Sequence, residues 1–185
     1  MRLVKAVITG SASIVVLVGS AGFSTDSAAE PQVVRWHDIR GLSSSVGLNV
    51  DNTLVVNLIG AGTGASPPGQ RPWSTTSGHA QVELGTGEID FIVRGLVLAG
   101  GVGIGTTSPF TEVVGRLVCD TNGSSSLGNS TIVDTPSVPL SPQGDAVFHG
   151  NIEPLPSACS QPDIAFLIVN PSTGRWIAFG AIRTP

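Results

Sequence analysis

Residues 88–98 read Glu88-Ile89-Asp90-Phe91-Ile92-Val93-Arg94-Gly95-Leu96-Val97-Leu98. Ile89, Phe91 and Val93 fall at every second position, with Glu88, Asp90 and Arg94 between them. An extended chain turns successive side chains to opposite faces, so a period of two marks a strand with one buried and one wet face. A helix would need apolar residues three and four positions apart. Gly95 breaks the pattern and Leu96-Val97-Leu98 resumes it, which predicts a β-bulge near Gly95.

The neighbouring segments repeat this reading. His79–Leu84 is a short apolar stretch, and Gly85-Thr86-Gly87 joins it to residues 88–98 as a predicted hairpin. Upstream, Gln32–Ile39 and Asn52–Ile59 are further apolar stretches. Downstream, Phe110–Cys119 places Thr111, Val113, Gly115, Leu117 and Cys119 on one face, with Glu112 and Arg116 on the other. Asp120–Ser130 is a polar loop and Thr131–Thr135 a short strand. Pro136, Pro139 and Pro142 forbid regular pairing there except at a sheet edge. Asp145–Ile152 alternates again, with Ala146, Phe148, Gly150 and Ile152 on one side. Asp163–Asn170 is continuously apolar and reads as a strand covered on both faces. The turn Asn170-Pro171-Ser172-Thr173-Gly174 joins it to Arg175–Ile182 as a second hairpin.

No segment of this chain carries a capped helical stripe. Eight or nine short strands separated by Gly/Pro turns predict an all-β, single-domain antiparallel β-sandwich, with a β-barrel as the alternative. Of the 185 residues 41% are hydrophobic and 12% charged, about half the average charge of soluble domains. That composition excludes coiled coils and charged disordered tails. A net charge of −4 with 9 basic residues argues against a nucleic-acid partner, which requires a basic face.

The first residues read as an address. Arg2 and Lys5 precede the apolar run Ala6–Val18, and Gly19, Ser20, Ala21 and Gly22 follow. Positive, apolar and small residues in that order predict a signal peptide over 1–29, cleaved after Ala21 or Ala29. The competing reading is an uncleaved anchor. Its apolar run is short for a bilayer core and contains Thr9, Gly10, Ser11 and Ser13, so no integral span is expected after cleavage. Residues 30–185 then form one β domain, secreted or on the cell surface. From Glu30 onward 12 acidic residues against 7 arginines give −5, with no Lys. Schiff-base chemistry and P-loop phosphate binding both need Lys and are excluded. Cys119 and Cys159, in an exported chain without zinc-motif spacing, favour a disulfide over two free thiols or two metal thiolates.

The candidate functional residues are few. Gly60-Ala61-Gly62-Thr63-Gly64-Ala65 matches a dinucleotide-binding string, but Pro67 and Pro68 forbid the helix it requires, so the segment reads as a flexible loop. Gly100–Gly105 reads as an inter-strand loop. No cofactor is implied. His37, His79 and His149 show no metal-ligand spacing, and a metal site would need all three from separate strands, with Asp38 as a further ligand. If Phe148 is core, His149 faces solvent. Glu88 and Asp90 share a strand face, which reads first as a solvated face beside Arg94. The serines lack a G-x-S-x-G elbow. Asn122 and Asn129 head N-x-[ST] sequences that matter only in a glycosylating host. The long stretch Gly60–Ser77 holds Trp73 beside Arg71. That pair could bind a sugar or partner surface, and the plainer alternative is a tryptophan folded back over the end of the domain.

Six segments carry a resemblance: Val93-Arg94-Gly95-Leu96-Val97, Leu117-Val118-Cys119, Val133-Asp134-Thr135-Pro136, Pro139-Leu140-Ser141-Pro142-Gln143-Gly144-Asp145-Ala146, Leu155-Pro156-Ser157-Ala158-Cys159 and Arg175-Trp176-Ile177-Ala178. Over residues 88–182 the chain resembles a set of small exported bacterial β-rich proteins of unassigned function. The resemblance implies export and supports pairing the cysteines. It carries no activity and no catalytic residue.

Three functions are therefore expected in order. The first is a non-enzymatic interaction or binding module with a macromolecular partner or cell-surface component. The second is an exported hydrolase or metal-dependent enzyme using His37, His79 or His149. The third is a self-assembling surface-layer component, favoured by low charge and high Gly, Ser and Thr content.

Overall fold

The structure is a computed structural model that describes residues 32–48, 54–125, 127–152, 154–160 and 162–184. The expected signal peptide lies outside the described residues. Among the described residues thirteen strands run β1 (Val33–Gly41), β2 (Val46–Leu48), β3 (Leu54–Val56), β4 (Trp73–Ser74), β5 (Ser77–Glu83), β6 (Glu88–Arg94), β7 (Val97–Leu98), β8 (Glu112–Cys119), β9 (Thr131–Asp134), β10 (Val138–Pro139), β11 (Ala146–Asn151), β12 (Ile164–Asn170) and β13 (Arg175–Thr184). The fold is all-β and antiparallel. A single nine-stranded sheet in the order β10-β8-β12-β13-β1-β5-β6-β11, with β9 also on β8, curls into a half-barrel. β2 with β3 and β4 with β7 form two small accessory sheets.

The concave side holds the main core. Trp36, Phe91 and Phe166 pack at centroid distances of 5.6 Å and are buried with Val34, Val82, Ile89, Leu117 and Ile168. Gly115 makes this packing possible: a Cβ there would lie 2.6 Å from the Phe91 ring. The convex side divides in two. Over β8, β12 and β13 it carries a second apolar cluster of Leu42, Val118, Leu167, Val169 and Trp176, with Ile59 packed against it. Over β1, β5, β6 and β11 it is polar and wet, carrying Arg35, His37, His79, Gln81, Glu88, Asp90 and His149. The continuous apolar run of β12 and the strict alternation of β6 are thus two halves of one sheet with different neighbours.

Two local expectations are corrected. Gly95 does not form a bulge inside one strand. It sits at φ +62 and separates β6, which pairs with β5 and β11, from β7, which pairs with β4. Its N–H donates to Asp145 Oδ1 at 3.1 Å. The Gly60–Ala65 segment is not a flexible loop. Ala61 N–H donates to Ser130 Oγ at 2.7 Å, Thr63 N–H to Asn129 Oδ1 at 2.9 Å, and Ser130 N–H to Ala61 O at 2.9 Å. Gly64 lies so close that a Cβ would meet Ser130 O at 1.8 Å. Only a single 3₁₀ turn, Gly62–Gly64, forms there, as the prolines require. Beyond it Gly69 N–H donates to Trp176 O at 2.7 Å and Trp176 N–H to Pro67 O at 3.0 Å, so the segment roofs the second cluster.

Cys119 and Cys159 form a disulfide, with Cα atoms 4.5 Å apart. It fastens the end of β8 to the segment preceding β12. The proline-rich stretch contributes only the two-residue edge strand β10, as expected.

Candidate functional site

Three segments distant in sequence meet at the end of the half-barrel where β12 turns into β13. Residues 69–73 arrive from the roofing segment, Pro109 and Phe110 precede β8, and Asn170, Thr173, Arg175 and Ile177 come from the β12–β13 turn. Together they line an open cleft of about 300 Å³. Trp73 is fixed by strand pairing to Leu98 and by its N–H donating to Leu42 O at 2.7 Å. Its ring packs on Phe110 at 5.6 Å and is only 3% exposed. Trp73 therefore closes the end of the core and serves as cleft wall from within, not as a projecting platform.

Arg71 and Arg175 supply the charge. Arg71 Nη1 donates to Val102 O at 3.1 Å, and Arg175 Nη1 donates to Pro68 O at 2.9 Å. Each contact orients one end of a guanidinium and leaves further N–H donors. Among the described residues no acidic side chain lines the cleft. Among the described residues, Arg40, Arg94 and Arg116 pair with carboxylates, whereas Arg71 and Arg175 pair with none. Asn170 is 3% exposed. Its Oδ1 accepts from Ser172 N–H at 3.0 Å and Ser172 Oγ at 2.8 Å, which fixes the amide orientation. Its Nδ2 donates to nothing among the described residues. The sequence singles out Arg71 and Trp73, and both line this cleft. It gives no sign of Phe110, Asn170 or Arg175, because only strand order brings the second hairpin's turn beside residues 69–73.

The histidines stand elsewhere, all exposed and on three different strands. His37 lies on β1, its Nε2 2.7 Å from Thr184 Oγ1. His79 lies on β5 and His149 on β11. They do not form a three-histidine centre. His149 instead faces Asp90 directly across the β6–β11 pair and hydrogen-bonds to it through Nδ1. Glu88, two residues along the same face, completes a group whose ligand atoms all lie within 4.8 Å of one another. Sequence pairs Glu88 with Asp90 and sends His149 to solvent. The β6–β11 register that joins them is not local information.

Partial burial pushes the Asp90 carboxyl up. Hydrogen bonds from Gln81 Nε2, at 2.9 Å, and from His149 outweigh it, helped by the charges of His149 and His79, and hold the group below its ordinary value. The same bond to Asp90 and the charge of Asp90, helped by that of Glu88, raise His149 above its ordinary value against desolvation. Among the described residues Asp90 is the hydrogen-bond partner of His149.

No helix among the described residues is long and apolar enough to cross a membrane. No protein-family profile, no curated protein and no solved structure matches this chain.

Proposed function

We propose that this chain is an exported or cell-surface binding protein without catalytic activity, and that it takes its ligand in the cleft beside the β12–β13 turn. The carrying observation is the convergence there of Arg71 and Arg175, both without acidic partners, on an apolar wall of Trp73, Phe110 and Ile177. Concave, largely apolar sites with a few placed polar groups are where proteins hold ligands. The disulfide fits an oxidising compartment, as do the leader-like first residues and the resemblance to exported β proteins.

A second reading rests on the Glu88–Asp90–His149 group, which offers two carboxylates and an imidazole to a metal in an exported hydrolase. One experiment separates the two. An isotope-labelled sample is titrated with a library of small fragments and followed by two-dimensional NMR, and the fragments are then recovered by mass spectrometry. Shifts confined to residues 69–73, 109–110 and 170–177, with fragments returned unchanged, are expected. Fragments returned cleaved, with shifts centred on Asp90 and His149, would replace the binding reading by the enzymatic one.

A further inference from the structure

Resting on the reading of the cleft as the binding site, we infer that its ligand is a small organic acid: a carboxylate head carried on an apolar body. Three independent features of the cleft select for that chemistry.

The first is charge. The chain is acidic overall, yet among the described residues this cleft has two guanidinium groups and no carboxylate. Of the four described arginines outside ion pairs, namely Arg35, Arg71, Arg175 and Arg183, two stand here. Planar guanidinium forks match planar oxyanions and bind them by charge-assisted hydrogen bonds. Each fork is already steadied by a backbone carbonyl, Val102 O for Arg71 and Pro68 O for Arg175, so less side-chain entropy remains to be lost on binding.

The second is Asn170. A buried amide normally satisfies its donors within the protein. Here the residue is 3% exposed and lines the cleft, its Oδ1 is committed to Ser172, and no acceptor among the described residues takes its Nδ2. A third fixed donor beside two cations suits an acceptor-only group. It would be wasted on a cation or on an aliphatic surface.

The third is the remainder of the wall. Trp73, Phe110, Pro109 and Ile177 offer apolar surface, beside the uncharged side chains of Gln70 and Thr173. The volume of about 300 Å³ lies at the small end of ligand sites, enough for a ring or a short branched chain behind the carboxylate.

Matched acid and amide pairs test this: phenylacetate against phenylacetamide, and cyclohexanecarboxylate against cyclohexanecarboxamide, with phenyl phosphate as the alternative oxyanion. Each is titrated into the oxidised protein, with the Asn170 side-chain amide and the Trp73 indole N–H as NMR reporters. The acids are expected to shift both reporters and to bind at least about tenfold more tightly than their amides. Arg71→Gln and Arg175→Gln should each weaken the acids by about tenfold or more and leave the amides unchanged. Arg71 is exposed, so its variant keeps the fold even if Arg175→Gln does not. Stronger binding of phenyl phosphate than of either acid would make the head group a phosphate and overturn the carboxylate assignment. Equal binding of acids and amides, insensitive to Arg71→Gln, would overturn the inference while leaving the cleft a binding site. Silence of both reporters toward every probe would overturn the binding reading together with it.

Discussion

Among single residues, His149 and Asp90 show how a strand register creates chemistry that neither side chain carries alone. The hydrogen bond and charge of Asp90 tighten proton binding to His149 in the folded state. The contribution of His149 is thus fully present below its unfolded value near 6.5 and is lost as pH rises through its higher folded value. Asp90 has the opposite sign. Its contribution is present above 3.8 and is lost as pH falls through its lowered folded value. The pair is an ion pair only between those two limits. A proton NMR titration of the imidazole should place the His149 midpoint above 6.5, and Asp90→Asn should return it toward that value. An unchanged midpoint in the variant would show that Asp90 does not set it. His149 is largely solvated, so removing the pair should alter this titration far more than global stability.

Elements differ in how much of them could be read from the chain. The alternation of β6 and β11 and the unbroken apolar run of β12 are local patterns, and each strand formed where its pattern stood. Gly95 misleads because a glycine inside an apolar run looks the same whether it kinks one strand or divides two. The partner of the second piece, Trp73–Ser74, comes from elsewhere. The segment Gly60–Ala65 misleads for a related reason. Low complexity resembles mobility, but here glycines permit contact at distances a Cβ would prevent. Gly115 tests the same principle inside the sheet. It lies on β8 with Phe91 and Phe166 over it, where an added methyl would meet the Phe91 ring at 2.6 Å. Gly115→Ala should destabilise the fold by about 1–3 kcal/mol through overpacking. In urea, the unfolding midpoint should fall with no change of slope. A midpoint equal to that of the parent would mean that the aromatic cluster has slack.

At the level of the whole molecule, the cysteines and the export reading belong together. A bridge across 40 residues is worth about 4 kcal/mol on the loop-entropy account. Reduction should therefore lower the unfolding midpoint markedly, and intact mass should rise by two hydrogens. A protein equally stable after reduction would show that nearby hydrogen bonds, from Asn122 Nδ2 to Asp163 Oδ2 at 3.1 Å and from Ser130 Oγ to Asp120 O at 2.8 Å, hold this region without the bridge. Fold class and disulfide were legible because they depend on period, spacing and compartment. The cleft is half legible: Arg71 and Trp73 stand out as an odd pair in a long loop, whereas Arg175 and Asn170 look like ordinary turn residues until strand order places them.

That strand order also fixes where the cleft faces. β13 runs from Arg175 at the cleft to Thr184, which pairs with Arg35 near the beginning of β1. The first and last strands of the domain therefore enter and leave side by side, separated from the cleft by roughly 30 Å of strand. A linker, fusion partner or surface support joined at either end of the domain would hold the molecule by its base. Arg175 would then stand at the opposite end of β13 from that attachment.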